Sequence, residues 1–192
     1  IESFFEPLLM FLVWFEKFFI NTPWPVIVLG ILILAWIGSR SIIVVIGTFL
    51  SFMLIGYFGM WKDTMSTLAI ILVATFLCIS IGIPLGIAMS RSNKIQTAII
   101  PILDVMQTIP SFVYLIPVVM LLGIGKVPGL IAVCIYAIPP IVRLTNLGIR
   151  LVDKDVLEAA DSFGANYWQK LFGVQIPLAL PTIFAGVNQT IM

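Results

Sequence analysis

The chain has 192 residues, of which 61% are hydrophobic and 10% charged, with ten Lys and Arg against nine Asp and Glu and no histidine. A water-soluble core cannot absorb that much apolar surface, so the chain belongs in a membrane. A net charge of +1 leaves no footprint for nucleic acid, and the missing histidine removes the usual general base, the Ser-His and Cys-His nucleophiles and most zinc sites.

The apolar runs are continuous rather than alternating, which predicts an all-α, polytopic helical membrane protein. Residues 1–20 mix Phe, Leu, Met and Trp with Glu2, Glu6, Glu16 and Lys17. This pattern reads as an amphipathic helix lying in the membrane interface, or as a partner helix folded back on the bundle. Crossings are expected at residues 24–38, 42–61, 68–89, 109–123 and 127–142, and a sixth begins near Ile176. The polar break Lys62-Asp63-Thr64 separates the second and third. Between Lys94 and Ile109 an apolar face of Ile95, Ala98, Ile99, Ile102, Val105, Met106 and Ile109 predicts a second interfacial or partly inserted helix, broken or bent by Pro101 and stopped by Pro110. The chain opens on Ile1 and stops at Met192 in an apolar stretch, so it is expected to be a fragment lacking both natural ends, with span counts as minima.

Basic residues orient the spans. With the Arg40 turn cytoplasmic, alternation places Arg40, Arg91, Lys94, Arg143, Arg150, Lys154 and Lys170 inside, and only Lys17, Lys62 and Lys126 outside. Residues 1–60 then form an amino-terminal part with the interfacial helix and two spans, and residues 61–192 a core, truncated at its carboxy end, that includes a polar loop at 143–175.

Little intramembrane chemistry is on offer. Asp104 is a carboxylate in apolar surroundings and so a functional candidate, although it also fits the polar face of its helix beside Gln107 and Thr108. Cys78 and Cys134 lie in long apolar runs and read as small hydrophobes rather than a disulfide. Pro84, Pro110, Pro117, Pro139, Pro140, Pro177 and Pro181 each remove a backbone donor and are expected to bend their helices. Gly82 and Gly86 have the spacing that lets helices pack closely. No P-loop occurs, so the chain should not hydrolyse ATP itself.

Residues 143–175 stand out, because eight of the nineteen charges lie there. Asp155 and Glu158 have the spacing of an acidic capping box, Ala159 and Ala160 follow, and Gly164 is a stop signal. A two-turn amphipathic helix is expected, exposing Leu157, Ala160 or Phe163. A helix that short is marginal alone and must dock on something, either a partner or its own bundle.

Glu158-Ala159-Ala160, three residues, Gly164, nine residues and then Val174-Gln175-Ile176-Pro177 resemble the EAA loop of permeases from binding-protein-dependent ABC importers, EAA-x3-G-x9-I-x-L-P. Residues 102–129, 138–149 and 175–192 resemble the glycine betaine/proline-type, quaternary-amine osmoprotectant branch, and the resemblance covers residues 61–192. The amino-terminal third matches only in being hydrophobic, and the family's carboxy-terminal spans are expected to be absent. The resemblance implies the transmembrane domain of a type I importer in the inner membrane, paired as a homodimer. It also implies two ABC ATPase subunits carrying ATP and Mg, an extracytoplasmic substrate-binding protein or domain, and no cofactor on this chain. Glu158, Ala159, Ala160 and Gly164 would then form the helix that docks on the ATPase. Phe112, Tyr114 and Tyr136 could line a path for a quaternary ammonium through cation–π attraction. The alternatives are a channel or ion-driven secondary transporter using Asp104, and a membrane scaffold with no transport path.

Overall fold

A computed structural model describes residues 2–192, with side chains from Glu6 onward except that of Ser111. Ile1 and the side chain of Glu2, both part of the expected interfacial helix, lie outside the described residues. All regular structure among the described residues is helical. The chain forms two compact units, one ending at Val73 and one comprising Ala74–Met192.

The first unit holds α1 (Glu2–Asn21), α2 (Trp24–Ser39), α3 (Ile42–Tyr57) and the start of α4 (Trp61–Arg91). Pro23 starts α2 and the chain bends by 100° between α1 and α2. On α1, Leu12 is buried, and the buried Glu16 accepts a 2.6 Å hydrogen bond from Ser66 of α4, while Met10, Trp14 and Phe18 stay exposed. Along that face α1 is a packed partner of α4. Arg40, with φ of +48, turns the chain from α2 into α3. The crossing expected to reach residue 61 stops at Tyr57, and Gly59 (φ +70) makes the turn. Lys62-Asp63-Thr64 do not form a break, because they occupy the first turn of α4. Asp63 there faces the positive end of the helix dipole.

The second unit continues α4 and adds α5 (Asn93–Thr108), α6 (Ser111–Leu122), α7 (Lys126–Arg150), α8 (Lys154–Ser162), α9 (Tyr167–Lys170), a π-helical turn (Leu171–Gln175) and α10 (Ile176–Ile191). The central helix is α7, which buries Leu130, Ile141, Val142, Thr145 and Ile149. In lipid, helices associate through close van der Waals fit rather than hydrophobic expulsion, so small residues mark the contacts. Gly82 and Gly86 serve that role for α4. A Cβ on Gly82 would collide with Cγ2 of Ile141, and one on Gly86 would lie 2.6 Å from Cβ of Thr145 and 2.8 Å from the Val142 carbonyl. On another face of α7, a Cβ on Gly148 would sit 2.9 Å from Cβ of Thr182, and one on Gly186 3.1 Å from Cα of Ile141, which brings in α10. Thr190 Oγ1 donates to the Ala137 carbonyl at 3.1 Å across the same contact. Cys78 and Cys134 are free thiols, each within 4.0 Å of a carbonyl of the facing helix.

Several boundaries differ from the sequence expectation. Pro101 does not break α5, which runs unbroken to Thr108 and ends before Pro110. Its packed centre is Leu103, with Ile99, Ile100 and Met106, against Met89 and Val142. Ile95, Ile102 and Val105 of the expected face are exposed instead. Hydropathy cannot separate a lipid-facing apolar side from a packed one. With 12 residues, α6 is about 18 Å long and too short to cross alone. It joins the preceding helix at a 93° bend. The fifth crossing does not end at residue 142 but continues to Arg150, and the final helical run starts at Tyr167 rather than near Ile176. Among the described residues, three helices are long and apolar enough to cross a membrane, or up to five spans if each bent pair counts as one.

Candidate functional site

The expected loop at 143–175 is largely helical, and its irregular backbone is confined to short turns on either side of α8. Asp153, two residues before the expected cap Asp155, starts α8: its backbone is extended (ψ 134°) and its carboxylate accepts the Asp155 amide at 3.0 Å. At the other end, Gly164 takes φ +74. Its amide donates to the Asp161 carbonyl at 2.9 Å, and the Ala165 amide donates to the Ala160 carbonyl at 3.1 Å. This pair of bonds is the Schellman closure, which favours glycine because a left-handed backbone costs other residues energy. Both ends of the helix are therefore satisfied locally.

Between these caps, Phe163 is 91% exposed, and Val156, Glu158 and Ala159 are also exposed. Leu157 and Ala160 are half-buried rather than open. The motif residues Glu158, Ala159, Ala160 and Gly164 therefore lie together on one short helix and its terminal turn. Small side chains beside an exposed aromatic ring leave a surface that another protein can approach closely.

The support beneath α8 was not anticipated. Lys170 pairs with Asp161, tying α9 to α8. Asn166 and Gln169 form a reciprocal capping box at 2.8 and 2.9 Å that starts α9, and the spacing N-x-x-Q could have signalled it. Arg150, the last residue of α7, donates from Nη2 to the Met89 carbonyl at 2.8 Å and from Nε to Asn146 Oδ1 at 3.0 Å. The carboxy ends of α4 and α7 thus meet near the start of the final helical run. Arg91, Arg150, Lys154 and Lys170 lie towards this end of the unit.

Asp104 does not stand alone. It forms an ion pair with Arg143 of α7, with 54% and 38% of the two side chains exposed. Arg143 lies within α7 although its charge suggested the end of a span. Among the aromatic candidates, Phe112 and Tyr136 come together along a hollow of about 310 Å³ with Leu115, Gly129, Ala132 and Val133. Tyr114 is outside that lining, and its hydroxyl donates to the Val105 carbonyl at 2.7 Å.

A family model described as binding-protein-dependent transport system inner membrane component matches residues 78–192. The chain belongs to that family. The matched residues contain the whole candidate site, and the family accounts for an all-helical, membrane-embedded unit. The chain is 49% identical over 178 residues to the glycine betaine/proline betaine transport system permease protein ProW of Escherichia coli (strain K12), covering 93% of this chain and 50% of that protein. It is 54% identical over 147 residues to the protein of the same name from Salmonella typhimurium, covering 77% of this chain and 42% of the relative. The glycine betaine/carnitine transport permease protein GbuB of Listeria monocytogenes is 46% identical over 176 residues, with coverages of 88% and 61%. The chain spans about half the length of the curated relatives it matches. The alignment with the Escherichia coli protein covers 93% of this chain and so reaches into its amino-terminal third.

Proposed function

We propose that this chain is a permease subunit of an ATP-driven importer for glycine betaine, proline or a related quaternary amine. The observation that carries the reading is α8: a short helix closed at both ends, with the EAA-x3-G motif on it and Phe163 exposed at its tip. The relatives' names supply the solute class. The subunit itself is not an enzyme. ATP and Mg belong to a partner ATPase whose cleft receives Glu158, Ala159 and Ala160, with Gly164 fixing where the helix ends.

In this reading, closure of two ATPase subunits displaces the α8 helices of two permease copies. The spans then rock between inward- and outward-facing states, a two-state switch biased by nucleotide. An extracytoplasmic binding protein or domain delivers the solute. Within the path, Phe112 and Tyr136 offer ring faces to the quaternary ammonium. Tyr114 lends support by holding α6 to α5.

The test is uptake of radiolabelled glycine betaine into vesicles holding the complete transporter, with proline, choline and carnitine as competitors. ATP-dependent uptake supports the proposal. Uptake that ignores ATP depletion but collapses with the proton gradient would overturn it in favour of a secondary transporter.

A further inference from the structure

Arg91 ends α4 inside an aromatic clamp. Its guanidinium carbon lies 4.2 Å from the centre of the Tyr167 ring and 5.0 Å from that of Trp168. The two rings meet edge to face at 5.5 Å and 78°, and Trp168 stacks on Phe172 at 5.8 Å and 16°. Both clamp residues belong to the four-residue α9, which the Lys170–Asp161 ion pair ties to α8. A continuous route of direct contacts therefore runs from Asp161 on α8 through Lys170, Tyr167 and Trp168 to the end of α4.

The chemistry of the clamp suits a link that must hold one geometry. A guanidinium is planar and stacks on ring faces, whereas an ammonium is a point charge that is attracted without being oriented. Two nearly perpendicular rings hold the guanidinium from two sides. The tip of α4 is the natural receiver, since Gly82 and Gly86 lock the same helix against α7. Arg150, bonded to the Met89 carbonyl, ties α7 to α4 at this end.

We propose that Arg91 is a positioning residue for the transport cycle, carrying displacement of α8 through Tyr167 and Trp168 into α4. The inference rests on α8 being the ATPase contact. Arg91 lies outside that contact, so its loss should uncouple rather than disassemble.

The test uses the complete transporter reconstituted in vesicles, with Arg91→Ala, Arg91→Lys and Trp168→Phe variants. Three quantities are read: ATPase retained on purification, ATP hydrolysed, and solute imported per ATP. For Arg91→Ala we expect wild-type ATPase retention and continued hydrolysis, with solute per ATP down about tenfold, within the usual span of coupling between sites. Arg91→Lys should recover part of that loss, and Trp168→Phe, which keeps a ring face, most of it. Unchanged solute per ATP in Arg91→Ala overturns the proposal. So does a fall that appears only together with lost ATPase, or no difference between the Lys and Ala variants. Failure of the wild-type chain to retain any ATPase would instead overturn the reading of α8, and this inference with it.

Discussion

The Ala165 amide reaches back to the Ala160 carbonyl at 3.1 Å across Gly164, whose backbone is left-handed at φ +74. No atom outside its own neighbourhood lies within 4 Å of a Cβ built on Gly164, so glycine is required here by conformation and not by space. The motif glycine and the two alanines before it are thereby one structural device: the glycine closes the helix that the alanines expose.

Gly164→Val should accordingly cost about 1–2 kcal/mol at the end of α8, from the left-handed backbone alone. Gly164→Asn should cost less, since Asn tolerates that conformation. ATP-driven uptake and ATPase retention should fall in the order glycine, asparagine, valine. Unchanged values for valine would remove the coupling role assigned to this turn.

At the other end of α8, Asp153→Ala should weaken the helix by about 1 kcal/mol, the usual value of an N-cap. Asp155→Ala should do less, because the Asp155 side chain makes no capping bond. Limited proteolysis of residues 151–166 reads this directly, with faster cleavage expected in the Asp153 variant.

These two ends show what the sequence could and could not convey. Gly164 was legible because a glycine after a short amphipathic run has few other uses. The cap was misplaced because Asp153 and Asp155 are chemically identical, and only the extended backbone at Asp153 decides between them. Likewise, Arg143 suggested the end of a span, yet α7 runs on to Arg150, and Arg143 pairs with Asp104, 39 positions away in sequence and so not visible from local pattern. Leu103 was overlooked because apolar residues surround α5, and which side packs depends on Met89 and Val142. The Gly82 and Gly86 contact was readable from spacing, since two small residues one turn apart form a stripe without tertiary knowledge.

That stripe makes a stability prediction. Gly86→Ala sets a methyl 2.8 Å from the Val142 carbonyl, a backbone atom that cannot turn aside. It should destabilise the purified protein by about 1–3 kcal/mol, the range for overpacking. Gly30→Ala meets nothing within 4 Å and should be neutral or slightly stabilising. Thermal unfolding in detergent compares the two, and equal midpoints would contradict the packing described for α4 and α7.

The Asp104–Arg143 pair is half-exposed, and such pairs contribute about 0–1 kcal/mol. Asp104→Asn should therefore retain at least half of ATP-driven uptake, with no change in its response to a proton gradient. Abolished uptake with loss of proton dependence would mark Asp104 as a proton carrier.

The central claim is that α8 sits in an ATPase. A single cysteine at Ala159, with Cys78 and Cys134 replaced by serine, can be cross-linked in the complete membrane-embedded transporter. The account predicts a permease–ATPase adduct whose yield changes when ATP binds, with none from a control cysteine at Gly30. Absence of any adduct at Ala159, in a complex that still contains the ATPase, would contradict it.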